Sequence, residues 1–211
     1  MSKIISFSLY GTEPKYTEGA ISNAELAKII FPDWICRFYC GGSVPIHIID
    51  KLKSYDNVEV IHMDENTPYS YMMWRFLPID EENTEIMLSR DADSRLSYRE
   101  KACVDLFVES DKLLHSIQDN YQHDNIMGGM WGIKKNDRIN MLKLCKEWDG
   151  GLEYFSDQHF LRNVLRPIFN DSYLVHCSTY LNNFPTERVG NFFVGEVFTD
   201  NRGHPHNHIF F

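Results

Sequence analysis

The sequence lacks the long apolar run that would mark a membrane protein. No stretch of the 211 residues approaches the roughly 18 consecutive apolar residues that a spanning helix needs, and the apolar run near the start is too short for a secretion signal. Repeats and low-complexity segments are absent as well. We therefore expect no membrane span and an ordinary globular fold.

Positive charge is also scarce. Lysine and arginine number 21 against 30 aspartates and glutamates, which gives a formal net charge of −9. This balance argues against a broad basic surface for nucleic acid or for an anionic membrane, although it allows a local basic pocket. We expect no nucleic-acid partner.

Paired cysteines are missing too. The five cysteines are scattered and contain no C-x-x-C pair. An odd set without metal-ligand spacing is typical of buried free thiols in a reducing compartment, and nothing in it indicates structural zinc. The residues are Cys36, Cys40, Cys103, Cys145 and Cys177.

Apolar strand patterns alternate with helical patterns along the chain. The strand patterns cover residues 3–11, 34–40, 58–63, 85–90, 113–118 and 173–178, and the helical patterns cover 21–31, 44–55, 96–111, 138–149 and 156–169. Ser97 and Glu100 form an S-x-x-E capping box, and Ser156 is the expected N-cap of the last helix. This alternation predicts an α/β fold: a single Rossmann-like domain with a mostly parallel central sheet flanked by helices.

The stretch "SRDADSR" places Asp91 and Asp93 one residue apart, directly after a predicted strand. In sheets of this kind, ligands bind at the carboxyl ends of the strands. Two carboxylates at such a place suit Mg²⁺ or Mn²⁺, which prefer oxygen ligands and often keep substrate phosphates among them. A metal there could neutralise a leaving diphosphate, and the flanking arginines could reach its oxygens.

Two other acidic motifs do not fit this stretch. A calcium loop starting at Asp91 requires Gly at its sixth position and Glu at its twelfth, where Leu96 and Ala102 stand. A phosphatase with an aspartate nucleophile carries its motif on the first strand, with Thr or Val where this chain has Arg95. Taken alone, the D-x-D pattern is short, and a solvated charged loop remains the alternative.

A glycine-rich stretch, "GGMWGIKK", surrounds Trp131 with Gly128, Gly129 and Gly132. It contains neither the G-K-[ST] of a phosphate loop nor the G-x-G-x-x-G of a dinucleotide site. Three close glycines allow either close backbone approach to a ligand, with the tryptophan facing a sugar ring, or a plain bend around a core tryptophan.

Three isolated residues could contribute chemistry. Asp157 lies in a first helical turn, where it is either a general base or simply an acid favoured by the helix dipole. His176 ends a strand and could either join a metal site or only be hydrogen-bonded. Arg75, beside Trp74, could bind phosphate or form an ordinary ion pair.

Taken in order, the blocks "RDADSRLSYRE", "GGMWGIKK", "DQHFL", "LVH" and "VGE" resemble a glycosyltransferase domain of the GT-A fold. Such domains occur in bacterial surface-polysaccharide proteins and in proteins of large DNA viruses. The resemblance covers most of residues 3 to 198. It implies a GT-A domain over residues 1–198, followed by a tail or the start of a linker to a further domain at 199–211.

The resemblance also implies roles for individual residues. It places Leu9, Tyr10 and Gly11 at the nucleotide base, and Asp91 and Asp93 on Mn²⁺ or Mg²⁺ with His176 as a further ligand. Arg75, Arg90 and Ala92 join them in binding the donor. On the sugar and acceptor side it places Gly128, Gly129, Trp131, Gln158 and, as the catalytic carboxylate, Asp157. The segment from Asp119 to His123 departs from the family pattern, which leaves donor-sugar and acceptor preference open.

The resemblance implies a metal-dependent glycosyltransferase that moves a sugar from a nucleoside diphosphate, UDP first, to a hydroxyl of an oligosaccharide or glycoprotein. The expected location is the cytoplasm, that of the host for a viral protein. One alternative is a nucleotidyltransferase acting on a sugar phosphate; such enzymes usually carry a basic Gly-rich loop after the first strand, where this chain has only Lys15. The other alternative is a non-catalytic carbohydrate-binding relative.

Overall fold

A seven-stranded sheet forms the centre of the computed structural model, which describes residues 1–123 and 125–198. The strands are β1 Ser2–Leu9, β2 Ile35–Gly41, β3 Val58–Met63, β4 Thr84–Arg90, β5 Leu114–Gln118, β6 Met130–Lys134 and β7 Tyr173–Cys177. Their order across the sheet is β3-β2-β1-β4-β6-β5-β7. Only β6 runs antiparallel to its neighbours β4 and β5, while the other pairs are parallel. The predicted α/β fold with a mostly parallel sheet is confirmed.

The helices cover both faces of this sheet. They are α1 Pro14–Ile30, α2 Ile46–Lys53, α3 Tyr98–Glu109, α4 Met141–Glu147, α5 Ser156–Phe160 and α6 Arg166–Ile168, with a π-helical turn at Leu161–Leu165 and 3₁₀ segments at Tyr71–Asp80 and Asn170–Ser172. In the described part of the chain, no helix combines the length and the apolar character needed to cross a bilayer. The predicted tail at 199–211 lies outside the described residues.

Helix starts agree only partly with the sequence signals. Ser97 caps α3 as predicted, because its hydroxyl accepts a hydrogen bond from the Glu100 N–H at 3.1 Å. Ser156, in contrast, is the first residue of α5, and the cap is Phe155 in the left-handed region at φ 69°. Helix α1 begins at Pro14, well before the predicted start, since proline is favoured in the first turn.

Strand β6 was not predicted, because glycine disfavours strands and hid its apolar alternation. Trp131 and Ile133 are fully buried there. Gly132 is required between them, because a Cβ at this position would lie 2.6 Å from Leu88 Cδ2 on the neighbouring β4. The antiparallel register pairs Met130 with Arg90, so the chain entering β6 passes directly over the residues that leave β4.

The two largest of three hydrophobic clusters in the described part of the chain hold the sheet between its helical layers. The first includes Phe7 and Phe38, whose rings stack with centroids 4.7 Å apart, and the buried faces of α1 and α2. The second cluster packs the 3₁₀ segment Tyr71–Asp80 and α4 around Trp74 and Trp131. All five cysteines are free and buried, as predicted. These layers leave the carboxyl ends of β1 and β4 open to a cavity.

Candidate functional site

A cavity of about 580 Å³ lies at the carboxyl ends of β1 and β4. This volume is in the usual range for small-molecule sites. Most of the residues predicted to bind donor or acceptor line it: Tyr10, Arg75, Asp91, Ala92, Asp93, Gly128, Gly129, Asp157 and Gln158. The structure thus brings together residues from five separate parts of the sequence.

Arg75 lies at the centre of this cavity and is only 5% exposed. One end of its guanidinium donates to Asp91 Oδ1 and to the Arg90 carbonyl, and the other donates to Asp157 Oδ2 at 3.0 Å. Its backbone N–H donates to Ser8 Oγ, which fixes the 3₁₀ segment against β1. Arg75 therefore sets the spacing of two carboxylates that come from distant segments.

Burial disfavours the charged form of two carboxylates of the cavity. Burial raises the pKa of Asp157 more than the neighbouring Arg75 charge lowers it. Burial likewise raises the pKa of Asp93, and the charge of Asp91 adds to that rise. Lys15 Nζ lies 3.7 Å from Asp93 Oδ2 and offsets part of this cost. Neighbouring carboxylates whose charged forms are disfavoured by burial and by mutual repulsion are typical of a binding site.

The two glycines before β6 are needed for space. A Cβ on Gly129 would lie 2.0 Å from Asp91 Oδ2, and a Cβ on Gly128 would lie 2.1 Å from Asp157 Oδ2. Any side chain at either position would displace a carboxylate that Arg75 orients. The two glycines therefore let the backbone approach two carboxylates of the cavity, and Trp131 is a core tryptophan, as in the second interpretation from sequence.

Several predicted site residues lie elsewhere, and their assignments are corrected. Leu9 is buried in the core, and Trp131 is fully buried in β6 against Phe76. Neither side chain lines the cavity. Gly11 does not line it; its N–H donates to Ser43 Oγ, and its φ of 75° serves the turn after β1.

Arg90 is also corrected, because its side chain points away from the cavity into the protein. It is 2% exposed, and its Nε donates to Glu100 Oε1 at 2.5 Å. A second nitrogen donates to the carbonyls of Ser89 and Trp131. Arg90 therefore joins β4, β6 and α3, and Arg75 is the arginine of the site.

The structure does not bring His176 to the two aspartates. It lies on β7, separated from β4 by β6 and β5, and its Nδ1 is 2.8 Å from Nε2 of the buried His115. Within residues 1–123 and 125–198, no three His, Cys, Asp or Glu side chains are grouped to hold a metal ion. Of the three predicted metal ligands, Asp91 and Asp93 line the cavity.

Sequence reasoning missed part of the lining. Tyr16, Met72, Gln122, His123, Met127, Tyr154, Phe155, Phe193, Gly195, Glu196 and Val197 also face the cavity. Tyr154 and Phe155 are exposed, with ring centroids 4.3 Å apart. Two aromatic residues beside an acid such as Asp157 are a usable sequence signal, and in the C-terminal segment the "VGE" block (residues 194–196) is part of the resemblance, which assigns no role to it.

That C-terminal segment is held over the cavity by a buried carboxylate, Asp119. Arg99 donates to both its oxygens at 2.8 and 2.7 Å, Arg188 donates at 2.9 Å, and the Val194 N–H donates at 3.0 Å. Burial alone would raise the pKa of Asp119, but these bonds, with one from Ser178, lower it to about 2. The Asp119 contacts thus place residues 193–197 at the cavity wall.

No family model and no curated protein matches the chain. Solved structures do share its fold. A glycosyltransferase involved in the glycosylation of the major capsid of PBCV-1 is 16% identical, with a TM-score of 0.55, and the match covers 86% of this chain and 84% of that one. The galactosyltransferase LgtC, solved with donor and acceptor sugar analogues, is 16% identical at a TM-score of 0.53, over 83% and 73% of the two chains.

The same fold occurs in a nucleotidyltransferase. The 4-diphosphocytidyl-2C-methyl-D-erythritol synthase of Anaerococcus prevotii is 8% identical, with a TM-score of 0.56 over 95% of this chain and 92% of its own. The chain therefore has the predicted fold, which these glycosyltransferases and this nucleotidyltransferase share. At identities this low the likeness establishes the fold, and the reaction must be argued from the cavity.

Proposed function

We propose that the chain is a metal-dependent glycosyltransferase that uses a nucleoside diphosphate sugar, with UDP-sugars first among the donors, and a carbohydrate hydroxyl as acceptor. The observation that carries this proposal is the convergence of Asp91, Asp93, Arg75 and Asp157 on one cavity at the carboxyl ends of β1 and β4. The fold shared with glycosyltransferases supports it.

The chemistry of the two aspartates fits Mn²⁺ or Mg²⁺. They supply hard carboxylate oxygens, and the charge of Asp91 raises the pKa of the partly buried Asp93, a repulsion that a cation would relieve. Two protein carboxylates leave room for phosphate oxygens and water as the other ligands. When bound, the metal would supply charge neutralisation for the departing diphosphate.

The protein's own residues would position the reactants. Arg75 fixes Asp91 on the donor side and Asp157 on the other side of the same guanidinium. Burial raises the pKa of Asp157, so this carboxylate is suited to accept a proton from the acceptor hydroxyl. Exposed Tyr154 and Phe155 stand at the rim next to it, where apolar faces of an acceptor sugar could pack.

A nucleotidyltransferase acting on a sugar phosphate is the second candidate, and the shared fold with a diphosphocytidyl transferase favours it. Against it stands the stretch that leaves β1 and enters the first turn of α1, where Lys15 is the sole cation and already faces Asp93. The third possibility, a carbohydrate-binding protein without turnover, predicts sugar binding that survives EDTA and Asp93→Ala.

Turnover assays separate these candidates. The protein is incubated with Mn²⁺ and either radiolabelled UDP-sugars with an oligosaccharide acceptor or nucleoside triphosphates with sugar 1-phosphates. Our proposal predicts nucleoside diphosphate release and labelled oligosaccharide in the first set. Pyrophosphate release in the second set, without nucleoside diphosphate release or labelled oligosaccharide in the first, would identify the protein as a nucleotidyltransferase and overturn our proposal.

A further inference from the structure

His123 lines the cavity, and its tautomer is set by the backbone. Its ring nitrogen Nδ1 accepts a hydrogen bond from the Asp119 N–H at 3.1 Å. A nitrogen that accepts such a bond carries no proton, so the neutral ring must hold its proton on Nε2. Over residues 1–123 and 125–198, Nδ1 is the one ring atom of His123 in a hydrogen bond.

The ring is also held in position. His123 is 7% exposed, and it contacts the Phe193 ring at a centroid distance of 5.5 Å. Its backbone partner Asp119 is itself fixed by Arg99 and by the Val194 N–H. A ligand therefore meets a donor whose direction is preset and which loses little conformational entropy on binding.

This tautomer excludes His123 as a metal ligand through Nε2. Metal coordination needs the lone pair of Nε2, which would move the proton to Nδ1 and set it against the Asp119 N–H. The nitrogen can instead donate to oxygen. A bound diphosphate would need hydrogen-bond donors, and the guanidinium of Arg75 already donates to Asp91 and Asp157.

We propose that His123 is a donor-binding residue whose Nε2–H donates a hydrogen bond to an oxygen of the diphosphate, or of the sugar attached to it, in the bound nucleotide sugar. The inference rests on the proposed function. His123 lines the same cavity as Asp91 and Asp93, the residues proposed to hold the metal on the diphosphate.

Two substitutions separate this role from a structural one. Asn in His123→Asn keeps an acceptor where Nδ1 was and loses the Nε2 donor, whereas Gln in His123→Gln places an N–H near Nε2 and loses the acceptor. Kd values for uridine, UMP, UDP and a UDP-sugar are measured by calorimetry with Mn²⁺, and the Tm of each variant is measured without ligand.

We expect His123→Asn to raise the Kd of the UDP-sugar by about tenfold or more, as for loss of one charge-assisted hydrogen bond. His123→Gln should stay within about threefold of the wild type. A loss that begins with UDP assigns the bond to the diphosphate, and a loss confined to the UDP-sugar assigns it to the sugar.

Three results would contradict this role for His123. If His123→Asn binds like the wild type, if His123→Gln is the weaker variant, or if uridine loses affinity equally, the inference is overturned while the proposed function stands. If the wild type binds none of these compounds, and none of GDP, CMP and dTDP either, the proposed function is overturned and this inference with it.

Discussion

Two clusters of buried charge differ sharply in how well their charges are compensated. The Asp119 cluster, formed by Asp119, Arg99 and Arg188, satisfies its carboxylate so fully that the pKa of Asp119 falls to about 2. The cavity cluster, formed by Arg75, Asp91, Asp93 and Asp157, does the opposite. There burial raises the pKa of Asp93 and of Asp157.

The difference indicates separate tasks. Charged residues that fully compensate one another's charge stabilise the fold. Charges that the protein compensates only in part are typical of sites where a ligand supplies the remaining compensation. The Asp119 cluster should therefore control stability, and the cavity cluster should control binding and turnover.

The largest effect on stability is expected from Asp119→Asn. The substitution leaves Arg99 buried without its counter-charge, and breaking a buried pair costs roughly 3–5 kcal/mol. Urea unfolding measures the loss. The matched control is Asp171→Asn, which breaks a similar two-bond contact to Arg138 on the surface and should change stability far less. Equal losses in the two variants would remove the contrast.

Asp93→Asn should have the opposite effects to Asp119→Asn: a large loss of activity without a loss of stability. Transfer activity should fall by about 100-fold or more, as for other losses of transition-state charge stabilisation. The free energy of unfolding should stay unchanged or rise, because burial and the charge of Asp91 disfavour the native carboxylate. Asp105→Asn on α3 is the charge-matched control, since it breaks only an exposed pair with Lys101. A destabilised Asp93→Asn would place Asp93 with the structural charges.

The pH dependence of stability should separate the clusters as well. The pKa of Asp119 is about 2 in the folded chain and about 3.9 when unfolded. Its contribution of roughly 2–3 kcal/mol is present above the unfolded pKa and disappears as pH falls toward 2. The stability difference between wild type and Asp119→Asn, measured by urea unfolding from pH 6 to 2.5, should shrink accordingly. A constant difference would contradict the assigned pKa.

The smallest effect is expected from Gly129→Ala. The new Cβ would lie 2.0 Å from Asp91 Oδ2, so the carboxylate must move away from its place beside Arg75. Transfer activity should fall by at least about tenfold, because misplaced reacting groups are costly. Gly42→Ala is the matched control, since nothing lies within 4 Å of its added Cβ. Activity equal to that of the control would show that Asp91 needs no fixed position.

Sequence predicted those parts of the site that depend on local order along the chain. Asp91 and Asp93 directly follow β4, and the parallel strands place their carboxyl ends at one edge. The capping signal of Ser97 and the buried thiols were likewise readable, because each depends on near neighbours or composition.

What sequence could not supply was the order of strands and the direction of side chains. In the sequence His176 lies at the end of an apolar strand pattern just as Arg90 does, yet β7 lies at the edge of the sheet, separated from β4 by two strands. Arg90 and Arg75 look equivalent in sequence, and only the packing of α3 turns Arg90 inward to Glu100. The role of Asp119 in holding residues 193–197 joins segments too far apart for any local pattern.

The central claim is that the cavity binds a nucleoside diphosphate through a metal held by Asp91 and Asp93, and a thermal-shift measurement tests it most directly. UDP, GDP, CMP and dTDP are compared with and without Mn²⁺, on the wild type, Asp93→Asn and Asp105→Asn. Binding to the folded state alone raises Tm with ligand concentration. We predict a Mn²⁺-dependent rise with UDP in the wild type and Asp105→Asn that Asp93→Asn lacks. No metal-dependent rise with any nucleotide, or the same rise in Asp93→Asn, would contradict the account.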